Sequence, residues 1–135
     1  DGFSNDAFAE MKVCDLLHKV HALDPRAMGA DKVIRMAYQN NAKIAQCFWP
    51  ELRGGLEIGA PADVIFVDYK PFTELNADNA AWHVLFGISG GMVTHTICNG
   101  QVLMANRKLL TLDESEIAAK AREAADRTWK RVASL

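Results

Sequence analysis

From residue 7 to about residue 20, apolar side chains return every three or four positions. Phe8, Met11, Cys14, Leu17 and Val20 form one line, widened by Val13 and Leu16. That spacing predicts an amphipathic helix. Lys12, Asp15 and Lys19 fall on its other side, where Asp15 and Lys19 stand i,i+4 and can pair. Asp24-Pro25-Arg26 breaks the pattern, and a second helix is expected from about Ala30, with Val33, Ile34 and Ala37 continued by Ala42, Ile44 and Ala45. The Asn40-Asn41 pair in its middle predicts a kink or a break.

Beyond Trp49-Pro50 the period changes. Gly54-Gly55-Leu56-Glu57-Ile58-Gly59 is rich in turn formers, and Val64-Ile65-Phe66-Val67 is a β-branched and aromatic run that predicts a buried strand. Trp82 to Gly87 is expected as a short helix ending at its glycine. Two strands, 92–98 and 101–104, flank Asn99-Gly100, a pair suited to a type I′ hairpin turn because both positions need positive φ. A further strand is expected at 108–110. Asp113 followed by Glu116 resembles a capping box, and Ile117, Ala121, Ala124, Ala125, Trp129 and Val132 then trace one face of a closing helix. Glu116 with Lys120, Glu123 with Arg127 and Asp126 with Lys130 are i,i+4 pairs in the favourable order.

These elements, helices first and then a small sheet and a last helix, define an α+β chain. Its 135 residues, half of them hydrophobic, suffice for one core but not for two ordinary domains. Fifteen basic and 17 acidic residues are interspersed for a net charge of −2, which leaves no basic face for a phosphate backbone and argues against nucleic acid as a partner. The apolar runs fall short of a membrane span of roughly 20 residues, and no export leader opens the chain. Cys14, Cys47 and Cys98 lie far apart, without a disulfide framework or a zinc-type spacing, which fits a reducing cytoplasm. The chain opens on Asp1 rather than Met, so its natural N-terminus is expected elsewhere.

Among chemically capable side chains, His18 and His21 stand i,i+3 and could share a metal, but ordinary surface or packing histidines are far commoner. His83 reads as a hydrogen-bonded residue at a helix start, and His95 as a strand-face residue. The cysteines lack a nearby cationic cluster and read as small hydrophobes. Trp82 and Trp129 read as packing anchors.

The run from Gly55 to Asp68, with Gly59, Ala62-Asp63 and the aliphatic strand between them, resembles a segment near the C-terminal end of amidohydrolase-superfamily enzymes. There the glycines permit turns and Asp63 can satisfy turn amides. Val93 to Ile97 with Asn99-Gly100 and Val102-Leu103-Met104 is similar to the closing hairpin of that family. Arg35-Met36-Ala37 with Asn40-Asn41-Ala42-Lys43, and the opening Asp1-Gly2, extend the likeness along nearly the whole chain. Phe3-Ser4-Asn5-Asp6, Leu16-Leu17-His18-Lys19, Asp24 to Met28 and Leu109 to Asp113 look most like SsnA-type aminohydrolases of the deaminase and chlorohydrolase group.

The resemblance implies a division of the chain. Residues 1–50 would hold the last strand-end loop and terminal helices of a TIM-type barrel, residues 51–112 the C-terminal strands of a composite β-sandwich, and residues 113–135 a C-terminal helix. It implies an active site at the C-terminal ends of the barrel strands, with a divalent metal, zinc or iron, held largely by histidines. Asp1 matches the aspartate that ends the last strand, as metal ligand and as acceptor of the proton of an attacking water. In the chain alone Asp1 would be a solvated terminal residue. No His-x-His pair occurs here, and one carboxylate cannot build a metal site of three or four ligands. The implied parent is a hydrolase of non-peptide carbon–nitrogen or carbon–halogen bonds in small cyclic amines or amidines, with this chain inactive and metal-free by itself. Asn5 and Asp6 would either touch substrate or cap the helix that starts near Ala7, and capping is the stronger reading. The helix stripe that would cover the absent barrel suggests a homo-oligomer. The competing reading is a non-catalytic binding or oligomerisation module derived from the sandwich.

Overall fold

A computed structural model describes residues 4–52 and 55–135. Asp1, Gly2 and Phe3, and with them the Asp-Gly match, lie outside the described residues, as does Gly54 of the glycine turn.

Helix α1 (Ala7–Ala22) begins where Asp6 accepts hydrogen bonds from the Phe8 and Ala9 amides. It ends at Leu23, whose left-handed backbone (φ 50°) lets its N–H reach the Lys19 and Val20 carbonyls. Helix α2 (Ala30–Ile34) passes through a π-helical stretch (Arg35–Asn40) into α3 (Asn41–Ala45). The expected break at Asn40-Asn41 is therefore absent: both asparagines keep right-handed helical angles, and the irregularity is taken up by the wider turn before them.

The core lies where α1, α2 and the segment after β1 converge, with Phe8, Met11, Ala30, Val33 and Leu85 buried. Met28, Ile34, Ala37, Val67, Val84 and Val93 pack around it. Only the first two turns of the α1 stripe are covered; Leu16, Leu17 and Val20 are exposed. Asp15, placed on the polar side by the sequence, is instead fully buried, because its carboxylate accepts from Lys19 and from the Gly29 amide (3.1 Å). Lys19 also donates to the Ala27 carbonyl (3.1 Å), so this ion pair fastens the loop between α1 and α2.

Strands β1 (Val64–Val67), β2 (Val93–Cys98), β3 (Gln101–Ala105) and β4 (Lys108–Leu109) form one antiparallel sheet in the order β1-β2-β3-β4. Val64 pairs with Ile97 and Phe66 with His95, and the register shifts beside Val67. Asn99 and Gly100 both take positive φ (47° and 77°), as the hairpin requires. Asp63 accepts the Asn99 amide at 2.6 Å, and the Ala62 carbonyl accepts the Gly100 amide. The strand at 64–67 forms, but it is not buried as expected: Ile65 and Phe66 are 44% and 53% exposed, since the described residues place no second layer over them. Between β1 and β2, α4 (Ala80–Trp82) continues as a π-helical turn (His83–Gly87) and a 3-10 turn (Gly90–Met92) leads into β2.

Helix α5 (Glu114–Ala133) starts at Asp113, whose side chain accepts the Glu116 amide at 3.0 Å. The pairs Glu116–Lys120 and Asp126–Lys130 close along it. No residue of α5 is buried, and Trp129 is 68% exposed, so the packing role read for Trp129 is not met within the described residues. The fold is mixed helix and antiparallel sheet. No helix among the described residues is long and apolar enough to cross a membrane.

Candidate functional site

The chain that follows Asp1 is held at the head of α1 by three side chains. The Ser4 amide donates to the Glu10 carboxylate, and the Asp6 amide donates to the Ser4 hydroxyl at 2.9 Å. Asp6 caps the helix through Oδ1, bonded to the Phe8 amide at 2.9 Å and more loosely to that of Ala9. Its second oxygen, Oδ2, accepts the Gly90 amide at 2.9 Å, from the turn that opens β2. The Gly90 bond, with those of Phe8 and Ala9, holds the Asp6 carboxyl below its usual value despite partial burial. The capping role read for Asp6 is met, and the Gly90 contact is one that no local sequence pattern announced.

The histidines stand apart. His18 lies on exposed α1, its Nδ1 2.8 Å from the Cys14 carbonyl and 3.9 Å from the Cys14 sulfur. His83 is half-buried at the start of its π-helical turn, with Nδ1 2.7 Å from the Tyr69 hydroxyl and Nε2 3.4 Å from that of Thr73. It is hydrogen-bonded, as read from sequence. His95 faces Phe66 edge-on across the β1–β2 pair and lies beside the Thr94 hydroxyl. Trp82 stacks on Phe86, with the Lys19 ammonium 5.9 Å from its ring centre.

Among the described residues no three His, Cys, Asp or Glu side chains gather closely enough to hold a metal ion. The described residues therefore do not by themselves fit the metal that the family resemblance implies. What they offer is support: a collar around residues 4–6 and an open groove of about 490 Å³ between α2–α3 and β1, lined by Tyr38, Asn41, Leu56, Asp63 and Ile65. Burial raises the Tyr38 phenol above its usual value there.

No family model matches the chain. A curated 5'-deoxyadenosine deaminase of Methanosarcina barkeri is 37% identical over 127 residues, which takes in 94% of this chain and 28% of that protein. A 5-methylthioadenosine/S-adenosylhomocysteine deaminase of Syntrophobacter fumaroxidans is 34% identical, over 87% of this chain and 26% of that protein. In fold, a zinc-bound adenosine deaminase from Xanthomonas campestris superposes with a TM-score of 0.74 at 24% identity, over 89% of this chain and 27% of that one. The zinc complex of atrazine chlorohydrolase from Arthrobacter aurescens TC1 gives 0.60 at 22% identity, over 84% and 26%.

These relatives define a class, the amidohydrolases that include deaminases and chlorohydrolases. The chain belongs to that superfamily and corresponds to a C-terminal part of such an enzyme. It spans between a quarter and a third of the length of the curated relatives it matches. The matches do not favour the reading as a module unrelated to catalysis.

Proposed function

We propose that the chain is the C-terminal segment of a metal-dependent hydrolase that removes an amine from a ring carbon of a small cyclic compound, with an adenosine-type nucleoside as the favoured substrate. The observation that carries this reading is the 37% identity to a 5'-deoxyadenosine deaminase along 94% of the chain. In the parent enzyme α1 to α3 would close the barrel, the four strands would complete a sandwich with strands from the N-terminal side, and α5 would cover a neighbouring surface.

Asp1 is proposed as a metal ligand and as acceptor of the proton lost by the attacking water, since an ionised carboxylate suits both tasks. The metal, zinc or iron, would supply an activated water. Its other donors would come from outside residues 4–135. The described residues contribute the placement of the segment that bears Asp1.

The test is to express the full-length protein that contains this segment and to measure ammonia release from 5'-deoxyadenosine, adenosine and 5-methylthioadenosine. Turnover of at least one, lost in Asp1→Ala with the fold intact, is expected. Absence of turnover in a metal-loaded enzyme, or near-normal turnover in Asp1→Ala, would overturn the reading.

The isolated chain is inferred to self-associate, most simply as a two-fold dimer. Leu16, Leu17, Val20 and Leu23 on α1 lie in water, and covering such side chains is worth roughly 1.5–3 kcal/mol each. Light scattering on the 135-residue chain checks this, and a cooperatively unfolding monomer contradicts it.

A further inference from the structure

We propose that Asp6 is a positioning residue of the parent enzyme: its carboxylate ties the stretch that follows Asp1 to the turn that opens β2, and thereby sets where Asp1 stands. The inference rests on the reading of Asp1 as catalytic.

A helix cap needs one side-chain oxygen. Asp6 uses Oδ1 for that, on the Phe8 and Ala9 amides, and commits Oδ2 to the Gly90 amide, 84 residues further along the chain. One rigid carboxylate thus joins two elements that sequence holds far apart. The fit on the far side is close. A β-carbon built on Gly90 would stand 3.0 Å from Asp6 Cγ and from Oδ2, so only a glycine lets the carboxylate come in to the amide. Upstream, Ser4 is fixed twice, by its amide on Glu10 and by its hydroxyl under the Asp6 amide. Three residues of chain reach about 11 Å at most, so a fixed Ser4 bounds where the chain before it can go. The Asp6 clasp decides where Ser4, on its helix, stands relative to the sheet.

The two sides of the clasp can be altered separately. Asp6→Asn keeps the shape and the cap, since asparagine caps as well as aspartate, but sets an amide donor or an uncharged acceptor against Gly90. Gly90→Ala leaves Asp6 in place and pushes the carboxylate off the amide. Both are made in the full-length enzyme, with Asp1→Ala beside them, and assayed on whichever of 5'-deoxyadenosine, adenosine or 5-methylthioadenosine the wild type deaminates.

Each clasp variant is expected to lower kcat by about 10- to 100-fold through misplacement alone, with KM within about twofold because substrate contacts are untouched. The double variant should be no worse than the poorer single one, as for two partners of one contact. Loss in kcat that tracks a loss in thermal stability across the variants, or kcat within about twofold of wild type while Gly90 amide exchange accelerates, overturns the inference. If Asp1→Ala is inactive while both clasp variants are normal, the clasp idea falls and the Asp1 reading stands. If Asp1→Ala is active, or the wild type deaminates none of the three, the reading itself falls and takes the clasp with it.

Discussion

The Tyr69 hydroxyl occupies the place where a side chain on Gly87 would begin. A β-carbon built on Gly87 would lie 2.3 Å from the phenolic oxygen and 2.7 Å from Cζ. From that position the hydroxyl reaches His83 Nδ1 at 2.7 Å, with the two rings edge to face at 5.7 Å. The glycine that ends the π-helical turn is thus the gap into which the first residues after β1 fold.

Gly87→Ala is expected to expel the Tyr69 ring and break its bond to His83, at a cost of about 1–3 kcal/mol for overpacking. Gly91→Ala, with no atom within 4 Å of the added carbon, is the control and should stay within about 0.5 kcal/mol of wild type. Urea unfolding of the two variants measures the contrast, and equal stabilities would contradict it.

Lys19→Met should destabilise the protein by about 3 kcal/mol, because it leaves the fully buried Asp15 carboxylate with only the Gly29 amide. One Asp15 oxygen already has no partner, so the site has no reserve. Asp15→Leu combined with Lys19→Met should recover part of the loss, since both charges then leave together. Chemical denaturation of the single and double variants decides it.

Acid should loosen the clasp. Asp6 is held below the usual carboxylate value of 3.8, chiefly by the Gly90 amide, so the folded state favours its charged form. That contribution is complete above 3.8 and is lost as pH falls through the lower value that Asp6 has in the folded chain. Gly90 amide exchange, corrected for its intrinsic pH dependence, should rise across that interval in the wild type, whereas in Asp6→Asn it should be fast throughout.

At the hairpin, Gly100→Ala should cost about 1 kcal/mol, because φ is 77° there and a β-carbon disfavours that region. Asp63→Ala should cost about as much by freeing the Asn99 amide. Thermal unfolding reads both, and an unchanged midpoint for Gly100→Ala would count against the type I′ turn.

Elements whose signal is local were legible in the sequence. Asn99-Gly100 marks its turn because only a few residues accept positive φ, and Asp6 and Asp113 mark their helices because a short acidic side chain suits an N-cap. A second turn with both central residues at positive φ, Asn106 (48°) and Arg107 (63°), joins β3 to β4 and was not marked, since arginine carries no preference for that region. What depends on distant partners was hidden. Asp15 looks like any polar-face residue until Gly29 is folded against it, and nothing near Asp6 in sequence points to Gly90. The stripe on α1 identified an apolar arc, but which of its turns are covered is set by where α2 and the His83–Gly87 segment lie.

The wide turn at Arg35–Asn40 amounts to one residue more than a regular helix would place there. Each residue of an α-helix advances the side-chain direction by about 100°, so a one-residue deletion in that stretch would leave a regular helix whose second half is swung round by that angle. Val33 would keep its place in the core while Asn41 and Ala45 turned away from β1. Chain length at this point is therefore under a constraint that residue identity is not: substitutions between 35 and 40 that preserve helix should be tolerated in a library, and single-codon deletions should be purged from it.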